Sequence, residues 1–195
     1  EWVAAGMLLE VCASDASQGS VLTAGDVKLG PSAKVTLYHA QWFRRWGFGL
    51  GAPAVLWRAC RRAQAVYISG IATWPTTLAA LFCIVLGRPF VVAPRAGLMD
   101  FIMRRMQWRK PHKQVFYQVL TLPSLRRARA IHATSQLEAD QLRAHLPSSR
   151  VVVLGNGLCL DQWLPLPPRQ PDGGLALCFV GRLAVEKGIV PFVQT

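Results

Sequence analysis

Carboxylates are what this chain has least of: ten Asp and Glu stand against 22 Lys and Arg in 195 residues, for a formal net charge of +12. Between Val27 and Leu137 the single acid is Asp100, set against 17 basic residues. A field of that sign attracts polyanions, whether nucleic acid, anionic lipid or a diphosphate-bearing substrate. The cysteines, at 12, 60, 83, 159 and 178, are odd in number and include no C-x-x-C pair. That argues against a disulfide framework and fits reduced, packed thiols in a cytosolic protein. A bilayer-spanning run is also missing: the most apolar window, 78–93, is broken by Gly87-Arg88-Pro89 after nine apolar residues, too few for a membrane helix. There is no Asp-x-Asp, no metal-ligand cluster, no internal repeat and no low-complexity segment. No helix-turn-helix, zinc pattern or RNP-type sheet motif accompanies the basic charge. No signal peptide is visible, and no initiator Met stands at the start.

What is present is an alternation of short β-type runs with helical patterns. Residues 1–12 read as a helix, with Val3, Met7, Leu8 and Val11 on one stripe. Short strands are expected at 21–23, 35–38, 65–69, 90–93, 130–133 and 151–154. Between them, 42–51 is a Gly- and aromatic-rich loop and 53–63 a helix. Residues 75–86 form an apolar helix opened by proline. A long basic helical region is expected over 98–127, interrupted near Pro111 and Pro123, and Ser135 with Glu138 gives a capping-box start to a helix ending at His145. Strands and helices alternating at this spacing predict an α/β fold with a doubly wound parallel sheet. The stretch 164–174, L-P-L-P-P-R-Q-P-D-G-G, holds four prolines and two glycines and reads as an interdomain hinge.

The most chemically pointed stretch is 175–188, L-A-L-C-F-V-G-R-L-A-V-E-K-G. Six unbroken apolar residues suit a buried parallel strand. Gly181 follows at once, then Arg182, with Lys187 five residues later at the start of a helical pattern. A guanidinium, an ammonium and a helix N-terminus beyond a strand make an anion cradle. On spacing alone, a solvated loop would carry the same residues.

The pattern G-R-L-x-x-x-K-G after an apolar strand resembles the opening of the second domain of family 4 retaining glycosyltransferases, which have two Rossmann-like domains in the GT-B architecture. Three further stretches fall in that family's order: V-Y-I-S-G-I-A-T-W at 66–74, R-P-F-V-V-A-P-R-A-G-L-M at 88–99, and A-I-H-A-T-S at 130–135 leading to Asn156-Gly157. The resemblance implies a Rossmann-like acceptor-side domain over 1–163 without its first strand. A linker over 164–174 and the truncated start of a nucleotide-sugar-binding domain over 175–195 would follow. The chain is then expected to be a fragment, with the family's glutamate pair beyond Thr195 and the catalytic residues unassigned.

The resemblance also implies roles. Gly181, Arg182 and Lys187 would hold the diphosphate of a nucleotide-sugar donor, and sugar would pass with retention to a saccharide or lipid-linked acceptor. Protein cations would take the place of a metal, so neither cofactor nor metal is expected, and no nucleic-acid partner. Arg95 and Gly97, in a loop usually reading Pro-Arg-Gly or Pro-His-Gly, and His39 would face the acceptor cleft. Here Ala96 is inserted between Arg95 and Gly97. Read without the resemblance, Arg95 is equally a surface arginine and His39 a packing or capping group. His132 is expected buried inside a strand, Thr134 and Ser135 as helix caps, Asn156-Gly157 as a structural turn and Trp74 in the core. The basic, aromatic-bearing region 99–129 suits an anionic membrane surface and equally a solvated basic face; the first would put a cytoplasmic protein at the inner face of the membrane. Two other readings remain: a basic nucleic-acid-binding module, separable by salt-dependent gel shift, and a non-catalytic Rossmann-like remnant.

Overall fold

The computed structural model describes residues 6–16, 21–23, 25, 33–100 and 115–157. In chain order these form β1 (Leu9–Ser14), β2 (Ala33–Tyr38), a 3-10 turn (Arg44–Trp46), α1 (Ala52–Arg62), β3 (Val66–Ser69), α2 (Trp74–Val85) and β4 (Phe90–Ala93). A π-helical turn (Tyr117–Thr121) then leads into α3 (Leu122–Arg126), β5 (Ala130–Ala133), α4 (Gln136–His145) and β6 (Val151–Val153). Every strand pair is parallel: β1 with β2, and β3-β4-β5-β6 in sequential order. The fold is α/β with parallel sheets, as a Rossmann-like domain requires.

Local chemistry accounts for most element ends. Proline in the first turn of α1 and of α2 gives up no hydrogen bond there, since those N–H groups have no helical partner. Arg61 and Arg62 close α1, where cations oppose the negative end of the helix dipole. In α1 the spacing of Ala52, Leu56 and Cys60 sets one buried stripe. This helix rests against β1, β2 and α2, and so joins the strand pair to the rest. Helix α2 is apolar nearly all round because it lies against α1, β3 and α3.

Strand β4 is the centre of the quartet. Phe90, Val92 and Ala93 are buried and Val91 half-buried, the pattern of a strand covered on both faces. Around it Leu98, Leu125, Ile131 and Leu142 are almost fully enclosed, each stabilising the fold by about 1.5–3 kcal/mol on burial.

Four expectations are corrected. Residues 9–12 are strand and not helix: β1 pairs with β2 from Leu9↔Ala33 to Ser14↔Tyr38. The same run offers apolar Leu9, Val11 and Ala13 at period two, and pairing decides between the two periods. The stripe residues Met7 and Leu8 are exposed. Residues 21–23 give a single antiparallel bridge, Ala16↔Val21, and no strand. The interruption expected near Pro123 is not a gap in the helical run, which continues over 115–126, but a local widening of it. Proline cannot donate four residues back and its ring crowds that carbonyl, and the preceding backbone is widened into a π turn. Finally, His132 is half-buried rather than buried, bonded to Tyr67 Oη at 2.7 Å through Nδ1 and to the Leu154 carbonyl at 2.8 Å through Nε2. The expected linker and second domain at 164–195, and residues 101–114 of the basic region, lie outside the described residues.

Candidate functional site at the carboxyl ends of the strands

Parallel α/β sheets bind ligands beyond the carboxyl ends of their strands. Those ends are marked here by Asp15, His39, Gly70, Pro94, Thr134 and Leu154. Two clusters of polar side chains gather among them.

The first is built on the loop after β4. Arg95 and Ala96 are both left-handed, at φ 54° and 64°, a conformation that costs a residue with a Cβ about 1–2 kcal/mol. Neighbouring elements hold it. The Ala96 N–H donates to Glu138 Oε1 at 2.7 Å, and Tyr117 Oη donates to the Gly97 carbonyl at 2.9 Å. Gly97 is required by close approach, because a Cβ there would lie 2.8 Å from Ile71 Cδ1 and 3.0 Å from the Pro94 carbonyl. The exposed Arg95 guanidinium donates to Asn156 Oδ1 at 2.8 Å and approaches Ser69 Oγ at 3.4 Å. It thereby ties together the ends of β3, β4 and β6 at the rim.

Glu138 on α4 is the buried anchor of this cluster. The Ser135 hydroxyl accepts from the Glu138 N–H at 3.2 Å, as a helix cap should. Its carboxylate does not return to the Ser135 N–H, so the capping box stays half made. Instead Oε2 accepts from the Thr134 N–H and hydroxyl, both at 2.8 Å, while Oε1 takes Ala96. Burial alone would raise its pKa, but these donors and nearby His132 outweigh it and hold the carboxyl below its ordinary range.

The second cluster lies at the ends of β1 and β2. Asp15, buried, accepts from the Ala40 N–H through Oδ1 at 2.8 Å and faces His39 Nδ1 through Oδ2 at 2.7 Å. A carboxylate can only accept, so Nδ1 carries the hydrogen and Nε2 is left facing outward on a side chain that is 64% exposed. Burial works against the Asp15 charge, yet the Ala40 N–H, His39 and Arg44 together lower its pKa. His39 is therefore not a packed group; it is an imidazole oriented by a carboxylate at a strand end.

Arg95 and Gly97 share one loop, whereas His39 belongs to the other strand pair. Gly181, Arg182 and Lys187 lie outside the described residues. Thr134 and Ser135 serve the start of α4, as read from the sequence. Trp74 is half-buried among Trp46 and Phe48. Sequence reasoning missed Asp15, Ser69, Glu138 and Asn156 as members of these clusters. For Glu138 no local signal points to Ala96, which lies 42 residues away. Among the described residues, no group of three or more His, Cys, Asp or Glu is placed to hold a metal ion. No helix among them is long and apolar enough to cross a membrane. Cys60 and Cys83 are free, buried thiols 3.9 Å apart, and Cys12 is free and half-buried. At the other end of the quartet, by the amino ends of β4 and β5, a hollow of about 350 Å³ is lined by Arg88, Arg127 and Arg129 with Phe90 and Ile84.

A family model described as "Glycosyl transferase 4-like domain" matches residues 1–157. A relative from Xanthomonas campestris, described as a GDP-mannose:cellobiosyl-diphosphopolyprenol alpha-mannosyltransferase, is 29% identical over 143 residues. That alignment takes in 73% of this chain and 35% of the relative, so the chain spans about a third of the protein it resembles. No solved structure matches it.

Proposed function

The chain belongs to the glycosyl transferase 4-like family, and we propose that it supplies the acceptor-side part of a retaining glycosyltransferase using a nucleotide-diphosphate sugar. The observation that carries this reading is the family match over 1–157, followed in the same chain by G-R-L-x-x-x-K-G at 181–188. In this reading Gly181 lets the backbone approach the donor diphosphate. Arg182 grips it bidentately and Lys187 adds a second cation, together offsetting the charge that grows on the leaving group. The Arg95 loop and His39 face the acceptor. The relative's description supports a saccharide carried on a polyprenyl diphosphate as the acceptor class, and hence work at the inner face of a membrane.

Arg182→Ala, made in the protein carrying whatever follows Thr195, tests the donor site. Donor affinity should fall by roughly tenfold or more, as loss of a charge-assisted contact implies. Unchanged donor affinity and an unchanged transfer rate would remove Arg182 from this role. The anomeric configuration of the product, read by proton NMR, tests retention separately.

A further inference from the structure

The amino ends of the strands carry chemistry that the proposed transfer does not use. Arg88 stands two residues ahead of β4 and Arg129 one residue ahead of β5. With Arg127, from the turn after α3, they line the hollow of about 350 Å³. That volume falls within the range of about 300–1,000 Å³ usual for small-molecule sites. The backbone fixes where the three guanidiniums start. The Arg129 N–H donates to the Phe90 carbonyl at 2.8 Å, one step before the Val91↔Ala130 pair. Neighbours in register on parallel strands share a face, so Arg129 rises on the side of buried Phe90. The Arg88 N–H donates to the Cys83 carbonyl at 2.8 Å, past left-handed Gly87 at φ 62°. Its Nη2 donates to the Arg61 carbonyl at 2.9 Å, which holds this half-buried side chain at the mouth of the hollow. The Arg127 N–H donates to the Ser124 carbonyl at 3.2 Å where α3 ends.

These cations are not answered from within. Among the described residues the ion pairs draw on Glu10, Asp15, Asp100 and Asp140, and none includes Arg88, Arg127 or Arg129. Closing the end of α1 occupies one N–H of Arg88. The Arg127 and Arg129 side chains have no hydrogen-bond partner among the described residues. Like charges gathered at one hollow repel, and more strongly where apolar Ile84 and Phe90 exclude water from its floor. A concave, single-signed site with a low-dielectric wall focuses its field on an entering counter-ion. Each guanidinium is a planar fork that grips two oxygens of one phosphoryl group, so three of them suit an anion with more than one such group. A nucleic-acid strand would need cations spread along a track; these converge on one hollow.

We propose that this hollow binds a diphosphate group, free or carried on a nucleoside, at the end of the sheet away from the strands' carboxyl ends. Arg88, Arg127 and Arg129 hold it, and none of them belongs to the Arg95 loop, the Asp15–His39 pair or the 181–188 stretch. The site therefore goes beyond the transferase reading and does not depend on it.

Titration calorimetry of the full chain tests this, with Arg182→Ala and Lys187→Ala introduced so that the proposed donor site does not contribute. The probes are inorganic pyrophosphate, guanosine and uridine diphosphates, and sulfate. Pyrophosphate should bind about tenfold or more tightly than sulfate, and less tightly as salt rises. Arg127→Ala with Arg129→Ala should lower that affinity by about tenfold or more. Arg58→Ala with Arg143→Ala removes as much charge elsewhere on the surface and should leave it unchanged. Near-ultraviolet circular dichroism checks that the variants fold. Should the first pair unfold, Arg127→Lys with Arg129→Lys replaces it, expected to weaken binding severalfold by losing the fork while keeping the charge. A nucleoside diphosphate held more tightly than pyrophosphate identifies the carried form as the ligand, and equal affinity the diphosphate alone; both uphold the site. Absence of pyrophosphate binding overturns it. So does binding indifferent to Arg127 and Arg129, equal affinity for sulfate, or tighter binding of single-stranded nucleic acid through the same arginines. With Arg182 and Lys187 already replaced, such a failure says nothing against the transferase reading.

Discussion

Glu138 shows how one side chain can hold a rim in place. Three donors converge on it, so Glu138→Gln leaves at least one N–H facing an amide nitrogen and should destabilise the fold by about 2–3 kcal/mol. Because its folded pKa is lowered, the stabilising contribution is fully present above the ordinary carboxylate value of 4.5 and is lost as pH falls through the folded value. Urea denaturation across the acid range should show wild type and variant converging only below that value. Asp15→Asn is a different kind of test. The amide would keep the Ala40 contact through its oxygen and turn its NH₂ toward His39, so the ring hydrogen should move from Nδ1 to Nε2. Long-range nitrogen–proton NMR reads that tautomer directly. Two tryptophans make a third comparison: Trp46 Nε1–H has a carbonyl partner, whereas Trp74 Nε1–H is buried with none among the described residues. Trp46→Phe should therefore cost about 1 kcal/mol more than Trp74→Phe in thermal or chemical denaturation.

At the scale of elements, legibility followed the signal each segment carries. Strand 90–93 and strand 130–133 were readable because short apolar runs stand between proline, glycine and arginine breakers. Helices α1, α2 and α4 announced themselves through early prolines or a Ser135 cap. Strand β1 did not, since its run satisfies two periods and only the partner β2 selects one. The π turn before α3 was beyond sequence reading, because Pro123 marks a boundary without saying on which side the helix lies. For the site, the loop after β4 was predictable as a place, from its position at a strand end. Its inner supports were not, since Glu138 and Tyr117 reach it from distant segments. Within that loop, Ala96→Gly should stabilise by up to about 1 kcal/mol by removing left-handed strain. Gly97→Ala should cost about 1–3 kcal/mol through collision with Ile71 and the Pro94 carbonyl. Opposite shifts of the thermal midpoint for adjacent positions would check both.

Across the whole molecule, the order of motifs said more than any one of them. Four short stretches in the right succession resembled a family, and a match spanning 1–157 placed the chain in it. Bulk charge was a weaker guide: +12 fits lipid, diphosphate or nucleic acid alike.

The tie between Ala96 and Glu138 has a kinetic corollary. The first belongs to the turn after β4, the second to a helix formed much later in the chain, so the turn cannot acquire its shape until β5 and α4 have docked. The Ala96 amide should then exchange its proton for deuterium at the pace at which α4 detaches, sharing that helix's slow opening although it sits on a surface loop.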